Sequence, residues 1–220
     1  MRILLPANFG NRLVMSGQYV FAAVGILTIG YWACGSANAV LFQRKEAQHF
    51  AREVETQVAF EAAGERSASS LEVEPQAPQE GAVMANLAIP RIGFSIMVVE
   101  GDKEGDLKLA IGHIPGTALP GKPGNIGIAG HRDTFFRPLR LISKDDVIVI
   151  TTLHEVDRYK VVSTKIVGPD DVRVLYPTGR DTLTLVTCYP FYYVGPAPER
   201  FIVRAERFEA SEKTAPQSFQ

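Results

Sequence analysis

The sequence is poor in the residues that cross-link a chain or bind metals. It has two cysteines and four histidines among 220 residues. Cys34 lies in an apolar N-terminal run and Cys188 near the far end of the chain, so a disulfide between them is not expected. No CxxC pair and no cluster of histidine and cysteine has the spacing of a metal site. We therefore expect a core of apolar residues, which make up 46% of the chain.

An excess of charge of either sign is also missing, because the net charge is −1. This excludes the global basic field that is typical of proteins that bind nucleic acid. One acidic run, residues 102–106, suggests a calcium loop, but its glycine is misplaced for an EF-hand. The sequence therefore predicts no metal site.

Acidic residues are absent from residues 1–43, and residues 20–42 carry no charge at all. As a helix rising ~1.5 Å per residue, residues 20–42 would be about 35 Å long, enough to cross a hydrocarbon core of about 30 Å. We predict an N-terminal cytoplasmic segment, 1–19, and a transmembrane helix, 20–42. A cleaved signal peptide is the alternative, because Ala37-Asn38-Ala39 has the small-x-small form of a signal-peptidase site.

Residues 43–82 separate this span from the rest of the chain. Apolar side chains recur at helical spacing from residue 44 to 63, which predicts a solvated helical stalk. Residues 64–81 are rich in Ser, Glu, Pro and Gln, a composition typical of a linker. A folded domain is then expected over 83–208 and a flexible tail over 209–220.

Short runs of β-branched and aromatic residues, separated by turn residues, dominate the domain. They predict strands over 85–89, 95–99, 125–129, 147–151, 159–166, 182–187 and 201–206, with helical turns over 108–113, 135–141 and 170–175. Strands at this spacing without long intervening helices favour a closed or nearly closed antiparallel barrel. The predicted fold is therefore all-β with short helices, preceded by one transmembrane helix.

Residues 182–205, TLTLVTCYPFYYVGPAPERFIVRA, read as two strands around a loop rich in Pro and Gly. Cys188 ends the first strand and Arg200 begins the second, so a thiol and a guanidinium lie at one end of a sheet. Side chains alternate along a strand, which puts Val186 on the face of Cys188 and Thr187 on the opposite face.

Arg200 is a permanently charged group with several donors, suited to an oxyanion or a substrate carbonyl. Arg204 would lie on the same face and is its rival. A solvated arginine in a weak surface ion pair is the alternative for either.

A cysteine nucleophile needs a proton carrier, and His131 is the best placed of the histidines. It follows GNIGIAG, where Gly127 and Ala129 share the face that His131 occupies. Small residues beneath an imidazole at a strand end leave an open groove, which favours a catalytic role. A histidine merely hydrogen-bonded in a turn is the alternative. The other three are expected to be structural or solvated, His113 as a loop anchor and His49 and His154 in polar segments.

Three segments of the domain resemble the signature segments of the sortases, which are membrane-anchored cysteine transpeptidases. They are TLVTC at 184–188, GHRDTFF from Gly130 onward, and ERFIVRA ending at Ala205. The runs NLAIPRIGFSIMVVEG and GHIPGTALPG are similar to the opening of the sortase domain. The resemblance covers 83–208, and the long CYPFYYVGPAPERF form is most similar to the class D sortases.

The resemblance implies a sortase-type β-barrel that needs no cofactor. It also implies site residues: Cys188 as nucleophile, His131 as proton carrier, Arg200 as the active-site arginine and Thr187 in the groove for the sorting signal. The implied reaction cleaves a C-terminal LPxTG-like signal of a surface protein through a thioacyl enzyme. The protein is then transferred to an amine of a cell-wall precursor or of another protein. The implied location is the cell membrane, with a single pass and the catalytic domain outside the cytoplasm.

The loops that flank the groove are expected to set specificity. Val172, Val174 and Leu175, in the loop before the strand of Cys188, are expected to contact an apolar Leu-Pro of the signal. Three aromatic residues of the following loop either line the path of the amine or pack within the loop: Phe191, Tyr192 and Tyr193.

Two other functions remain open. A cysteine endopeptidase would use Cys188, His131 and Arg200 with water as the acceptor. A non-enzymatic cell-surface β-barrel that binds a partner would not need the thiol.

Overall fold

The computed structural model describes residues 9–62 and 78–209, with side chains over 17–57 and 78–209. The chain divides into two compact units, Met1–Leu41 and Phe42–Gln220. Helix α1, Phe9–Ala62, contains a stretch long and apolar enough to cross a membrane. The predicted span, 20–42, lies within this helix. Most of the predicted linker and tail, residues 63–77 and 210–220, lies outside the described residues.

The part of α1 that belongs to the second unit packs against the barrel. The side chain of Gln43 accepts from the backbone N–H of Met97 at 2.9 Å and donates to the carbonyl of Leu109 at 2.8 Å. Phe50 is 7% exposed. The predicted stalk is therefore helical but not solvated on all sides, because one face of it is bound to the folded domain.

Eight strands form a closed barrel in the order β1-β2-β3-β4-β7-β8-β6-β5. The strands are β1 Val83–Ile89, β2 Phe94–Glu100, β3 Ile111–His113, β4 Asn125–Gly130, β5 Val147–Thr151, β6 Val156–Val167, β7 Thr182–Tyr189 and β8 Glu199–Arg207. The helical pieces are α2 Glu104–Leu107 and the 3₁₀ turns Pro90–Ile92, Arg137–Leu141 and Val172–Leu175. The predicted closed barrel is confirmed.

Two of the strand pairs are parallel, β2 with β3 and β4 with β7, where the sequence predicted antiparallel pairing. The connection from β4 to β7 includes the whole β5–β6 hairpin, which is long enough to return the chain in the same direction. The carboxyl ends of β4 and β7 consequently meet at one edge of the barrel.

The predicted helical turn over 108–113 is wrong, because Ile111–His113 is a strand, β3. Gly112 brings the backbone of β3 against the carbonyl of Gly101, so closely that a side chain would overlap it. The strand is too short to show a period-two pattern, and its pairing with β2 and β4 defines it.

Inward-facing side chains from all eight strands form one apolar core. In β7, Leu183 and Leu185 are fully buried in it, and Ile126 and Ile128 of β4 pack beside them. These pairs alternate with the outward side chains, so the two strands present a second set of residues on the outer face. The candidate site lies on that outer face.

Candidate active site

Cys188 and Arg200 face each other across β7 and β8. The register pairs Cys188 with Arg200, next to the pairs Thr187 with Phe201 and Val186 with Ile202. Residues directly opposite each other in neighbouring strands lie on the same face. Cys188 and Arg200 are both half-buried, so the thiol and the guanidinium are accessible side by side at the barrel edge.

His131 joins this pair from the other side of β7. The parallel register of β4 and β7 pairs Ala129 with Val186 and Gly130 with Thr187, so His131 and Cys188 are the next residues along. His131 is half-buried. His131 directly follows β4 and is thus level with Cys188 in the register, and Cys188 is opposite Arg200. We call these three residues the His131–Cys188–Arg200 row.

Thr187 does not line the groove as the resemblance implied. Its side chain points inward with Leu183 and Leu185, is 2% exposed, and donates a hydrogen bond of 2.7 Å to the carbonyl of Gly130. This is a correction with a simple cause, since period-two alternation sends Thr187 away from the face of Cys188. Its hydroxyl instead joins the ends of β4 and β7.

Gly130 and Phe136 hold the backbone of His131. The ring of Phe136 is fully buried, and a methyl group at position 130 would lie 2.6 Å from its Cδ2 atom. The N–H of Phe136 donates to the carbonyl of His131 at 3.0 Å. The turn after β4 therefore folds back onto the strand, and only glycine leaves room for that contact.

The guanidinium of Arg200 is anchored at one nitrogen. Nη1 donates to the carbonyls of Ala197 and Glu199 at 3.3 and 3.1 Å. Within residues 78–209, the other guanidinium N–H groups form no hydrogen bond, so they can serve a ligand beside the thiol. Arg204, the predicted rival, lies further along β8, opposite Thr184.

The outer face next to the row is apolar. Ala129, Val186 and Ile202 lie side by side on β4, β7 and β8. The sequence predicts an open groove over Gly127, and the structure shows that this space is occupied. A methyl group at position 127 would lie 3.0 Å from Thr117 Cγ2 and 3.1 Å from Leu175 Cδ2. Two loop side chains fill that space, so the groove does not continue over Gly127.

The β6–β7 loop, residues 168–181, contains the three residues that are predicted to contact the substrate, and each of them has different surroundings. Val174 lines a cavity of about 290 Å³ together with Ile202. Leu175 covers Gly127. Val172 is 55% exposed and is not one of the residues that line this cavity. Val174 and Leu175 therefore border the outer face near the row, whereas Val172 lies at the surface of the loop.

The β7–β8 loop, residues 190–198, is packed at one end and exposed at the other. Phe191 packs against Phe201 with ring centroids 5.3 Å apart, whereas Tyr192 is 72% exposed. Arg132, next to His131, donates to the carbonyls of Tyr193 and Gly195 at 2.9 and 3.0 Å. Phe191 is thus a packing residue, and Arg132 connects the turn of His131 to this loop.

His113 is buried and structural, in agreement with its expected role as a loop anchor. Its Nδ1 lies 2.6 Å from a carboxylate oxygen of Glu100, and its Nε2 lies 3.0 Å from the hydroxyl of Thr117. Thr117 Oγ1 in turn accepts from the N–H of Gly127. This network fixes the loop before β4 against the strand.

One charged pair lines the cavity beside Val174. Asp171 and Arg173, in the β6–β7 loop, form a bidentate pair, and the hydrogen bond from Arg173 holds the pKa of Asp171 below its usual value. Among the described residues, no group of three or more His, Cys, Asp or Glu is arranged to hold a metal ion.

Several residues that shape the site were not identified from the sequence. Asn125, Thr117 and Arg132 act through hydrogen bonds to distant backbone groups. The period-two pattern of β4 was an available signal for Asn125, because it puts a polar side chain on the same face as His131.

The fold and the row together define a class of protein: a closed β-barrel with a half-buried cysteine, a histidine and an arginine at neighbouring positions at one end of its outer face. The sortase domain family matches residues 87–208. Sortase D of Bacillus subtilis (strain 168) is 37% identical over 131 residues, which cover 59% of this chain and 66% of that protein. Sortase A of Listeria monocytogenes is 31% identical over 111 residues, or 49% of this chain and 50% of the relative. The chain spans about half to two thirds of the length of these curated relatives.

Solved structures give the same result. The sortase D5 transpeptidase of Clostridium perfringens has a TM-score of 0.61 at 26% identity, covering 76% of this chain and 99% of that chain. Sortase A from Corynebacterium diphtheriae, a lid mutant, has a TM-score of 0.56 at 27% identity, covering 76% and 97%. The chain belongs to the sortase family. The predicted likeness to class D agrees with the D-type relatives.

Proposed function

We propose that this protein is a cysteine transpeptidase that cleaves the C-terminal sorting signal of a surface protein and transfers that protein to an amine. The observation that supports the proposal is the register of the barrel strands: Cys188 is opposite Arg200, and His131 directly follows Gly130, the partner of Thr187. Membership in the sortase family supports it.

In the first half-reaction the thiol of Cys188 gives its proton to His131, and the sulfur attacks the carbonyl carbon of the scissile peptide bond. The C–N bond then breaks, and His131 gives the proton to the departing amine. A thioester between the donor protein and Cys188 remains. Arg200, whose Nε and Nη2 face no protein acceptor within residues 78–209, donates to the oxyanion that forms in between.

The second half-reaction reverses these roles. The nitrogen of an incoming amine attacks the thioester carbon and gives a proton to His131, and the C–S bond breaks. The proton returns to the sulfur of Cys188, so the enzyme is regenerated and no cofactor is consumed. The acceptor is an amine of a cell-wall precursor or of a protein.

The location follows from the same proposal. Helix α1 supplies one stretch that can cross a membrane, and surface proteins are processed outside the cytoplasm. We place the catalytic domain outside the membrane with a single N-terminal anchor, residues 20–42.

The experiment uses the full chain in detergent micelles with a panel of LPxTG-like peptides and a labelled amine. Thioester formation and labelled product are measured for wild type and for Cys188→Ala, His131→Ala and Arg200→Ala. Matched controls are Cys34→Ala, His49→Ala and Arg158→Ala, which change exposed residues of the same types. We expect Cys188→Ala to abolish the thioester, and the other two site variants to lower its rate by about 10²–10³ fold.

Three outcomes separate the candidate functions. Label in the product identifies a transpeptidase, whereas a free carboxylate in the presence of excess amine identifies an endopeptidase. The proposal fails if none of the three site variants lowers thioester formation or product. A non-enzymatic barrel is indicated by slow alkylation of Cys188 together with unaltered function of Cys188→Ala.

A further inference from the structure

Asn125, the first residue of β4, links two strands to the β6–β7 loop. It is 3% exposed. Its Oδ1 accepts from the hydroxyls of Thr182 and Thr184 at 3.0 and 2.7 Å, and its Nδ2 donates to the carbonyls of Val174 and Tyr176 at 3.2 and 3.1 Å. A carboxamide has two donor hydrogens and two acceptor lone pairs, so every hydrogen-bonding position is used. Because carbonyls only accept, the amide nitrogen has to face the loop.

Arg204 of β8 reaches the same point of the loop from the opposite side. Its Nη2 donates to the carbonyl of Val174, which therefore receives hydrogen bonds from both β4 and β8. A second attachment lies near the end of the loop, where Asp181 accepts from the N–H of Gly124 at 2.9 Å. The loop is thus held on the outer face by side chains of the barrel.

These backbone bonds determine where two apolar side chains lie. Val174 lines the cavity of about 290 Å³ together with Ile202, which is a direct neighbour of the His131–Cys188–Arg200 row. Leu175 fills the space over Gly127 and closes the groove at that end. The cavity is also lined by the charged side chains of Lys165, Asp171, Arg173 and Arg204. Fixing the carbonyls of Val174 and Tyr176 therefore fixes the positions of the two apolar side chains, Val174 and Leu175, that the loop contributes to the outer face.

We propose that Asn125 and Arg204 are positioning residues that decide which donor peptides are accepted, because they hold the β6–β7 loop as a wall of the groove. The inference rests on the proposed function and adds a specificity determinant to it. Neither side chain lies in the row of reacting groups. They act through Val174 and Leu175, and the contact at issue is the one with the apolar leucine of the LPxTG-like peptide of the proposed function.

Asn125→Asp tests the hydrogen bonds from β4 to the loop with the smallest change of shape. The carboxylate has the same shape and still accepts from the hydroxyls of Thr182 and Thr184, but it places an oxygen against the carbonyls of Val174 and Tyr176. The hydrogen bonds to the loop are lost, and a carboxyl group is buried against the two carbonyl oxygens. Arg204→Gln is the second variant and removes the bond that comes from β8.

Arg180→Gln is the matched control. Arg180 lies in the same loop and pairs with Glu206 at 2.9 Å. Its side chain is 72% exposed and forms no hydrogen bond to the carbonyl of Val174 or Tyr176. It therefore reports on any perturbation of the loop that is unrelated to Asn125.

The readouts are kcat and KM for an LPxTG-like peptide and for its analogue with alanine in place of the apolar leucine. We expect both variants to raise KM for the leucine peptide about tenfold with kcat within about twofold, and to reduce the preference for leucine over alanine. Arg180→Gln keeps wild-type values. Alkylation of Cys188 by iodoacetamide should be unaltered, because a small reagent does not use the loop wall.

The inference is overturned if both variants form the thioester with wild-type KM and wild-type preference. If Asn125→Asp lowers the melting temperature too far to be assayed, Arg204→Gln decides alone. A different failure, in which wild type forms no thioester with any peptide, overturns the proposed function and this inference with it.

Discussion

The hydroxyl of Thr187 donates to the carbonyl of Gly130 at 2.7 Å. These two residues directly precede Cys188 and His131, and they face each other in the parallel register of β4 and β7. A buried hydrogen bond therefore joins the two backbones one residue before the proposed nucleophile and its proton carrier. Thr187 belongs to the support of the site and not to its surface.

Thr187→Val removes this bond with little change of shape. We expect the free energy of unfolding to fall by about 1 kcal/mol and kcat to fall about tenfold, since His131 is no longer held in register. Thr187→Ser keeps the hydroxyl and should restore kcat. A valine variant that loses stability but keeps full kcat would show that the bond is structural only.

Gly130→Ala tests the close approach of Phe136. A methyl group at position 130 overlaps the buried ring, so we expect the variant to lose about 1–3 kcal/mol of stability and to displace His131. Thermal unfolding and the rate of thioester formation measure the two effects. Gly168→Ala is the control, because nothing lies within 4 Å of the position of its methyl group. Equal melting temperatures for the two variants would refute the overlap.

The pair of His113 and Glu100 should be among the most sensitive polar contacts of the barrel. His113 is 1% exposed and the side chain of Glu100 is 14% exposed. His113→Ala leaves the side chain of Glu100 without this hydrogen-bond partner and should cost about 1–3 kcal/mol in urea unfolding. Glu100→Gln still offers an oxygen to Nδ1 and should cost less. His154→Ala, at an exposed histidine, is expected to have almost no effect.

The acid stability of the barrel should depend on Arg91 and Asp146. The hydrogen bond from Arg91 holds the pKa of Asp146, a buried carboxylate, below its usual value. As the pH falls, Asp146 is therefore protonated in the unfolded chain before it is protonated in the folded barrel. The stabilisation by the ionised Asp146, present above about pH 4, is lost as the pH falls through the pKa that Asp146 has in the folded state.

Arg91→Gln removes the cause of the shift. We expect lower stability at neutral pH but a shallower loss of stability in acid, measured as urea midpoints across the acid range. The two proteins have to be compared with each other at each pH, because Asp157 also affects the pH dependence. Burial raises the pKa of Asp157, so in both proteins this residue makes stability change with pH in the direction opposite to that of Asp146. Parallel curves for the two proteins would contradict the assignment.

The sequence was sufficient for most strands because one face of each is buried. Leu183 and Leu185 alternate with Thr184 and Val186, and the structure buries the first two in the core. The strand Ile111–His113 could not be predicted, since three residues carry no period and its neighbours in the sheet come from elsewhere in the chain. The parallel pairing of β4 with β7 likewise depends on contacts between residues that are far apart in the sequence, so local patterns do not predict it.

The motifs led to the prediction of the three residues of the row, which the structure puts at neighbouring positions, but not to a prediction of what surrounds them. Gly127 suggested an open groove, and the space is taken by Thr117 and Leu175 from two separate loops. Thr187 was placed in the groove by resemblance, although its position in the alternation already pointed inward. Local patterns specify which face a residue occupies, whereas the loops that cover that face are set by tertiary contacts.

The mixed strand directions give the site an order of assembly. Cys188 and Arg200 lie opposite each other beside the loop of the β7–β8 hairpin, which can form locally. His131 comes level with them only through the pairing of β4 with β7. Pairing across such a sequence separation comes late, because the entropy of closing a long loop has to be overcome first. On the proposed mechanism, an incompletely folded chain therefore carries the thiol of Cys188 without its proposed proton carrier, and we expect acyl transfer only after the barrel has closed.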